Sequence, residues 1–481
     1  MKVIVVGAGV GGLAAAIRLG AGGHQVEVLE RNPFVGGKLA TLEEGGYAFE
    51  LGPTLLTLPH VFDELFRLAG TTMADEVELV RLDPQIRYRW PNGSTLDVPD
   101  DPAAFPAALE AFSPGSGAQW STFAAHAAKL WEVSEHTLLA GPTGSSSPLL
   151  SRVRTPIEAN RLDGNRTLAK SAAAHFDDPR LQQLVGRYAT DAGSSPFQSP
   201  ATLAYVPHIE QAFGCWYVMG GLGRLRDALE RAARRIGVTI RLRTDVGRIA
   251  MDGSSVSGVE LADGGVESAD LVVSDVDAAH LYTDLLPHPK QAKKLDQLGR
   301  STSAFVICAA VRGRTEGIVH HNLLFSLHDR QEFRYLEAGQ MPIDPTVYAC
   351  VSSVTDPGQA PRDGENWYVL VNTPPAIGID RKLTTASVLN RLAERGFDIR
   401  NRIDYTRTLV PADFEARYRA VGGAIYGTSS NHKRAAFSRP DNVGPVDGLY
   451  LVGGTAHPGA SLPMVAISAR IVADLVAERH G

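Results

Sequence analysis

Cysteine is almost missing: Cys215, Cys308 and Cys350 are the only three in 481 residues, and they lie far apart. That excludes a disulfide framework and a cysteine-rich metal centre. No group of His, Asp, Glu or Cys has metal-ligand spacing in the sequence, so no metal is expected. No run approaches the roughly 20 apolar residues of a membrane-spanning helix. An excess of positive charge is missing too, since 47 Lys and Arg against 53 Asp and Glu leave a formal net charge of −6. A general nucleic-acid partner needs a basic face and is therefore excluded. Disorder is excluded by the 44% of apolar residues, which suffice to build a core. At roughly 100–200 residues per domain, the length points to two or three domains.

Glycine is abundant, with 48 residues, and its first cluster is informative. The β-branched run Lys2–Val6 predicts a buried strand, Gly7–Gly12 a turn, Leu13–Leu19 a helix and Gln25–Glu30 a second strand. Lys2 and the apolar stretch after it look like the start of a secretion signal. Glycines at this spacing would break a continuous targeting helix but suit a strand–turn–helix, so a cytoplasmic chain is expected.

Gly7, Gly9, Gly11 and Gly12 satisfy G-x-G-x-x-G. The first glycine allows the tight turn, the second lets backbone approach a pyrophosphate, and the last lets helix and strand pack closely. The helix start offers free N–H groups to phosphate. Glu30, at the end of the next strand, suits both hydroxyls of an adenosine ribose and would repel a 2′-phosphate. A dinucleotide site is the reading.

Further signals recur late. Leu222–Arg235 predicts a helix, followed by strands at Thr239–Leu242, Val256–Leu261 and Asp270–Ser274. Ser303–Val311 and Thr346–Val351 are β-like, Leu449–Val452 is a late strand and Pro463–Val476 a closing helix. Residues 60–200 read mostly as helices and loops, with a flexible joint at Gly141–Ser147. The arginines from Arg224 to Arg248 alternate with acids and read as a solvated helix face.

Glu30-Arg31-Asn-Pro-Phe-Val-Gly36-Gly37-Lys38, with Gly52-Pro53-Thr54 after it, resembles the FAD-binding start of the amine oxidase and carotenoid desaturase superfamily. Met219-Gly-Gly-Leu-Gly-Arg-Leu resembles that superfamily's second block, and Val246 matches the valine whose backbone meets adenine. The closing segment Gly453-Gly454-Thr-Ala-His457-Pro458-Gly459, with Pro463-Met464, resembles bacterial carotenoid desaturases. Amine oxidases usually carry an acid where Gly454 stands. Within the desaturases, this segment and Gly339–Tyr348 are more similar to the hydroxycarotenoid than to the phytoene type.

The resemblance implies an α/β fold: a Rossmann-like FAD domain with a discontinuous, mixed α+β substrate domain. The FAD part would combine 1–70, 215–285 and 430–481, and the substrate part 71–214 and 286–429. The implied cofactor is noncovalent FAD, held by Gly7, Gly9, Gly11, Gly12, Glu30, Arg31, Gly37, Lys38, Thr54, Val246, Gly453, Gly454, Pro463 and Met464. The implied reaction is desaturation of a long apolar polyene, by hydride transfer from an allylic carbon and loss of a proton. Oxygen or a membrane quinone would be the electron acceptor. No catalytic base is legible. His457 is open to three roles: flavin attachment, proton carriage or a structural turn. The substrate implies docking on the inner face of a membrane, with an apolar entrance between residues 100 and 200 and Leu149-Leu150 as its candidate tip. Phytoene desaturase, carotenoid isomerase, amine oxidase and a flavin-free lipid carrier are the alternatives.

Overall fold

A computed structural model describes residues 1–142, 162–432, 435 and 438–480. A five-stranded parallel sheet has the order Leu449–Leu451, Leu271–Ser274, Lys2–Val6, Gln25–Leu29, Thr239–Arg241. Its central strand is Lys2–Val6, which explains an apolar run without alternation. The helix Val10–Ala21 packs against Leu222–Arg235 and Leu462–His480 in one core. The antiparallel strands Val246–Asp252, Ser255–Leu261 and Val266–Ser268 form a separate three-stranded sheet. Val246, Ile249 and Val259 from it share a core with Ile4, Val6 and Val272 of the parallel sheet. Chain segments from the beginning, the middle and the end thus build one nucleotide-type unit.

A seven-stranded mixed sheet stands apart, in the order Ile403–Leu409, Ser303–Arg312, Gly364–Thr373, Val347–Cys350, His321–Leu324, Ile86–Arg89, Thr95–Val98. Ser303–Arg312 is buried on both faces. Phe305, Ile307 and Ala309 enter one core, while Ala304, Val306 and Cys308 enter another. Residues of the helices Ser116–Thr137, Leu168–His175, Pro179–Gly186 and Tyr205–Phe213 pack in one core with Ile86, Tyr88, Leu96 and Val98 of its last two strands.

The described residues of 60–200 are mostly helix and loop, as the sequence predicts, with the short strands Leu79–Arg81, Ile86–Arg89 and Thr95–Val98 among them. Ile86-Arg-Tyr-Arg alternates buried and half-buried residues, a two-residue period that a short segment barely displays. The pair joins the sheet through the parallel partner His321–Leu324, far away in sequence. The first helix begins at Val10, and the last runs over Leu462–His480, longer at both ends than predicted. The arginine-rich helix is an ion-paired face: Arg231 and Arg235 both reach Glu76, and Arg234 pairs with Glu230. Leu149-Leu150, and the Gly141–Ser147 joint beyond Pro142, lie outside the described residues.

Candidate active site

The site forms at the carboxyl ends of the parallel strands. Gly7 leaves its strand with φ +98, a conformation that glycine adopts without strain. Gly9 caps the helix Val10–Ala21 without any side-chain hydrogen bond, and no acid lies in its first turn. The free N–H groups of this helix start are a site for an anion. Asp275, directly after the strand Leu271–Ser274, already faces this helix start, where the N–H groups of Gly12 and Gly9 favour its ionised form. Cβ atoms added at Gly9, Gly11 and Gly453 would fall 2.3, 2.5 and 2.1 Å from its carboxylate oxygens. Three glycines therefore form a cradle the size of one small oxyanion. Burial pushes the Asp275 carboxyl up to about 7, with the Gly12 hydrogen bond opposing and the Glu30 charge adding.

From this cradle a cavity of about 240 Å³ extends along the sheet end. Gly7, Gly9 and Gly11 line one side, and Glu30, Arg31 and Val246 another. Glu30 is held rigidly. Ala8 N–H donates to its Oε2 at 2.8 Å, and Asn32 donates to Oε1 through N–H at 2.8 Å and Nδ2 at 2.7 Å. Arg31 Nη2 donates to the Ala416 carbonyl at 2.7 Å. Gly37, Lys38 and Gly454 also line this cavity. Lys38 Nζ donates to the Ile425 carbonyl at 2.7 Å. Burial lowers its pKa, with Asp277 and Asp275 opposing. Gly12 and Gly453 stand behind the wall, packed on Gly7 and Gly11 respectively.

A second cavity, of about 440 Å³, meets the first at Lys38, Pro53, Tyr426, Ser461 and Leu462. Thr54, Pro463 and Met464 belong to this second cavity. Thr54 Oγ1 shares a 2.6 Å hydrogen bond with Tyr348 OH. Pro463 lies in the first turn of the helix Leu462–His480, where a missing N–H costs nothing. Much of the remaining lining is apolar, including Leu138, Val206, Ile209, Leu323, Phe325 and Phe414. One sector is charged, with Arg187, Asp191 and Glu210.

His457 lines the second cavity; its Nε2 donates to the Leu138 carbonyl at 2.7 Å, and Ser468 Oγ donates to its carbonyl at 2.7 Å. Arg439 ties the same region together. It donates to the carbonyls of Tyr426 and Gly454 at 3.1 and 3.0 Å, and burial lowers its pKa to about 10. The fold also gathers His320, His321 and Cys350, whose ligand-type atoms lie within 4.8 Å of one another, a cluster that the sequence spacing did not reveal. Burial holds both imidazoles neutral and raises the thiol. Nδ1 of His320 meets Thr355 and that of His321 meets Tyr348.

Sequence reasoning missed Asp275, Tyr426, Arg439 and the charged sector. Only Asp275 had a signal: it directly follows a predicted strand, and ligands bind at the carboxyl ends of parallel strands.

The family model described as flavin containing amine oxidoreductase matches residues 10–477. The chain is 33% identical to a 4,4'-diapolycopene oxygenase of Methylomonas sp., over 99% of this chain and 98% of that protein. It is 34% identical to a 1-hydroxycarotenoid 3,4-desaturase of Flavobacterium sp., over 99% of each. It is 35% identical to the hydroxyneurosporene desaturase of Cereibacter sphaeroides, over 99% and 97%. In fold it is similar to putrescine oxidase bound to putrescine, with a TM-score of 0.66 at 16% identity over 99% of each chain. Cyclohexylamine oxidase from Brevibacterium oxydans gives a TM-score of 0.64 at 16% identity, again over 99% of each.

Proposed function

The chain belongs to the flavin-containing amine oxidoreductase family, and from that membership we propose that it is an FAD-dependent carotenoid desaturase, converting a C–C single bond of a polyene to C=C. The observation that carries this reading is the end-to-end similarity to enzymes named for carotenoid substrates. The anion cradle and the carboxylate of Glu30 fit the cofactor. The turn Gly7–Gly12 holds the pyrophosphate, Glu30 the ribose hydroxyls and Val246 the adenine edge. Gly37, Lys38 and Gly454 line the passage towards the second cavity, where Pro463 and Met464 present a helix N-terminus to the ring system. When bound, FAD supplies the hydride acceptor. The helix N-terminus stabilises negative charge arriving there, and the apolar lining keeps water out. Conjugation spreads the positive charge developing on the polyene, so a strong base is unnecessary.

The parts 1–70, 215–285 and 430–481 form the FAD domain in this reading, and 71–214 with 286–429 the substrate domain. Among the described residues no helix is long and apolar enough to cross a membrane. Substrate arrives from a membrane surface, and electrons leave to oxygen or a quinone. The exposed Leu327 and Ile343, 62% and 63% exposed, suit an entrance, because the neighbouring Asp329, Phe333 and Thr346 line the second cavity.

The test is to incubate the flavin-loaded protein with acyclic carotenoids and analyse the products by absorbance and mass. A longer-wavelength chromophore with loss of a hydrogen pair is expected. An absorbance change without mass loss would mean isomerisation. Gain of an oxygen would support a second reading, favoured by the similarity to an oxygenase. Turnover of amines but no carotenoid would overturn the proposal.

Glu30→Gln removes one charge without changing shape. A hydrogen bond to a charged group contributes roughly 1.5–3 kcal/mol, and losing part of that weakens FAD binding about tenfold. Titration of the apoprotein with FAD measures it. Unchanged affinity would make Glu30 only the lock on Ala8 and Asn32.

A further inference from the structure

One sector of the second cavity groups one cation with two carboxylates, Arg187 with Asp191 and Glu210. Arg187 opens the short helix Arg187–Ala192. Its Nε donates to Tyr88 OH at 2.8 Å and its Nη2 to Glu210 Oε2 at 3.1 Å. Glu210 Oε2 also accepts from Tyr188 OH at 2.8 Å. Arg187 and Glu210 thus neutralise each other, and both are nearly buried, with side chains 10% and 9% exposed. Asp191 is left over. Among the described residues its carboxylate meets only Arg187 Nη1, at 3.3 and 3.5 Å, too long for strong hydrogen bonds.

Its surroundings say what it faces. Protein encloses Asp191, and burial raises its carboxyl to about 6. Even so, 42% of its side-chain surface is bare, and the space it borders is the second cavity. Two residues on, a Cβ added at Gly193 would fall 2.6 Å from the ring of Tyr426, a residue that lines both cavities. The charge of Asp191 adds to the burial that raises the Tyr426 phenol. Asp191 therefore stands close to the junction of the two cavities.

An acceptor pair in a largely apolar cavity is costly until a donor arrives. A hydrocarbon brings no donor, whereas a single hydroxyl on an apolar chain does. We propose that Asp191, oriented by Arg187, is the subsite for a hydroxyl at the reacting end of the polyene, and so selects hydroxylated over purely hydrocarbon substrates. The proposal rests on the desaturase reading above. It has a geometric corollary: with the hydroxyl held near the junction, the bond that is oxidised lies a few carbons from the oxygen.

The experiment uses flavin-loaded full-length protein and two acyclic carotenoids that differ only in one terminal hydroxyl. Wild type, Asp191→Leu and Asp191→Asn are compared by kcat/KM, with flavin content reporting folding. Wild type is expected to prefer the hydroxylated compound roughly 10- to 150-fold, the range of a charge-assisted hydrogen bond. In Asp191→Leu the ratio between substrates collapses towards one, mainly through KM, while Asp191→Asn, which keeps an acceptor oxygen, retains part of it. A wild-type ratio near one, a ratio unchanged in Asp191→Leu, or amine turnover lost with that variant would overturn the subsite. Turnover of the hydrocarbon without preference sinks the subsite alone. No turnover of either compound by flavin-loaded protein sinks the desaturase reading, and the subsite with it.

Discussion

Gly12→Ala is expected to yield protein purified almost free of flavin. The added methyl would sit 2.0 Å from the Gly7 carbonyl oxygen, and both partners are backbone, so no side chain can rotate away. Helix and turn must separate, which moves the N–H groups that face the phosphate cradle. Overpacking a tight site costs roughly 1–3 kcal/mol, and this contact belongs at the upper end. FAD affinity then falls about 100-fold or more, since a shift of 2.7 kcal/mol is about two decades. A drop in Tm accompanies it. Gly378→Ala is the control: nothing lies within 4 Å of a Cβ there, and flavin content should match wild type. Normal flavin content in Gly12→Ala would mean that the turn relaxes freely and does not hold the pyrophosphate.

FAD binding is also expected to weaken as pH rises, and Asp275→Asn should remove that dependence. The Asp275 carboxyl occupies the glycine cradle to which the proposed function assigns the pyrophosphate. Its folded pKa is raised to about 7, so the neutral form prevails below that pH and repels no phosphate. Above it the carboxylate opposes a second anion, and affinity falls by up to about tenfold per pH unit. The charged groups nearest to it act in opposite senses, Glu30 raising its pKa and Lys38 lowering it. For the apoprotein, the raised pKa means stability fully present below the unfolded carboxyl's pKa and lost as pH rises through about 7. Asn keeps the shape without the charge, so at about pH 8 the variant should bind FAD roughly tenfold more tightly than wild type. FAD titrations of both proteins across the pH range decide it. A flat wild-type profile would show that the carboxylate swings clear of the cradle.

The two expectations differ in how they became visible. Gly12 was legible because its packing is local: strand, turn and helix are contiguous, and glycine spacing alone dictates which backbone atoms approach one another. Glu30 was legible for the same reason, one strand further on. Asp275 was half legible, as the residue directly after a predicted strand, but its place beside Gly9, Gly11 and Gly453 came from the sheet order. The contact of His457 with the Leu138 carbonyl, far away in sequence, also came only from the fold.

The sequence by itself determined the parallel-sheet unit, its glycine turn, the carboxylate at the end of its second strand and, through its motifs, the flavin family. These depend on periodicity and on short-range backbone geometry, which neighbours in the chain impose on one another. Only the tertiary structure decided the seven-stranded sheet, whose strand Ile86–Arg89 takes its place from His321–Leu324. It alone also decided the charged sector of the second cavity. Asp191 is unremarkable in sequence, and it becomes a candidate recognition group because Glu210 neutralises Arg187 and the cavity leaves the remaining carboxylate bare. Burial and charge balance arise from segments brought together across the chain, and no local pattern records them.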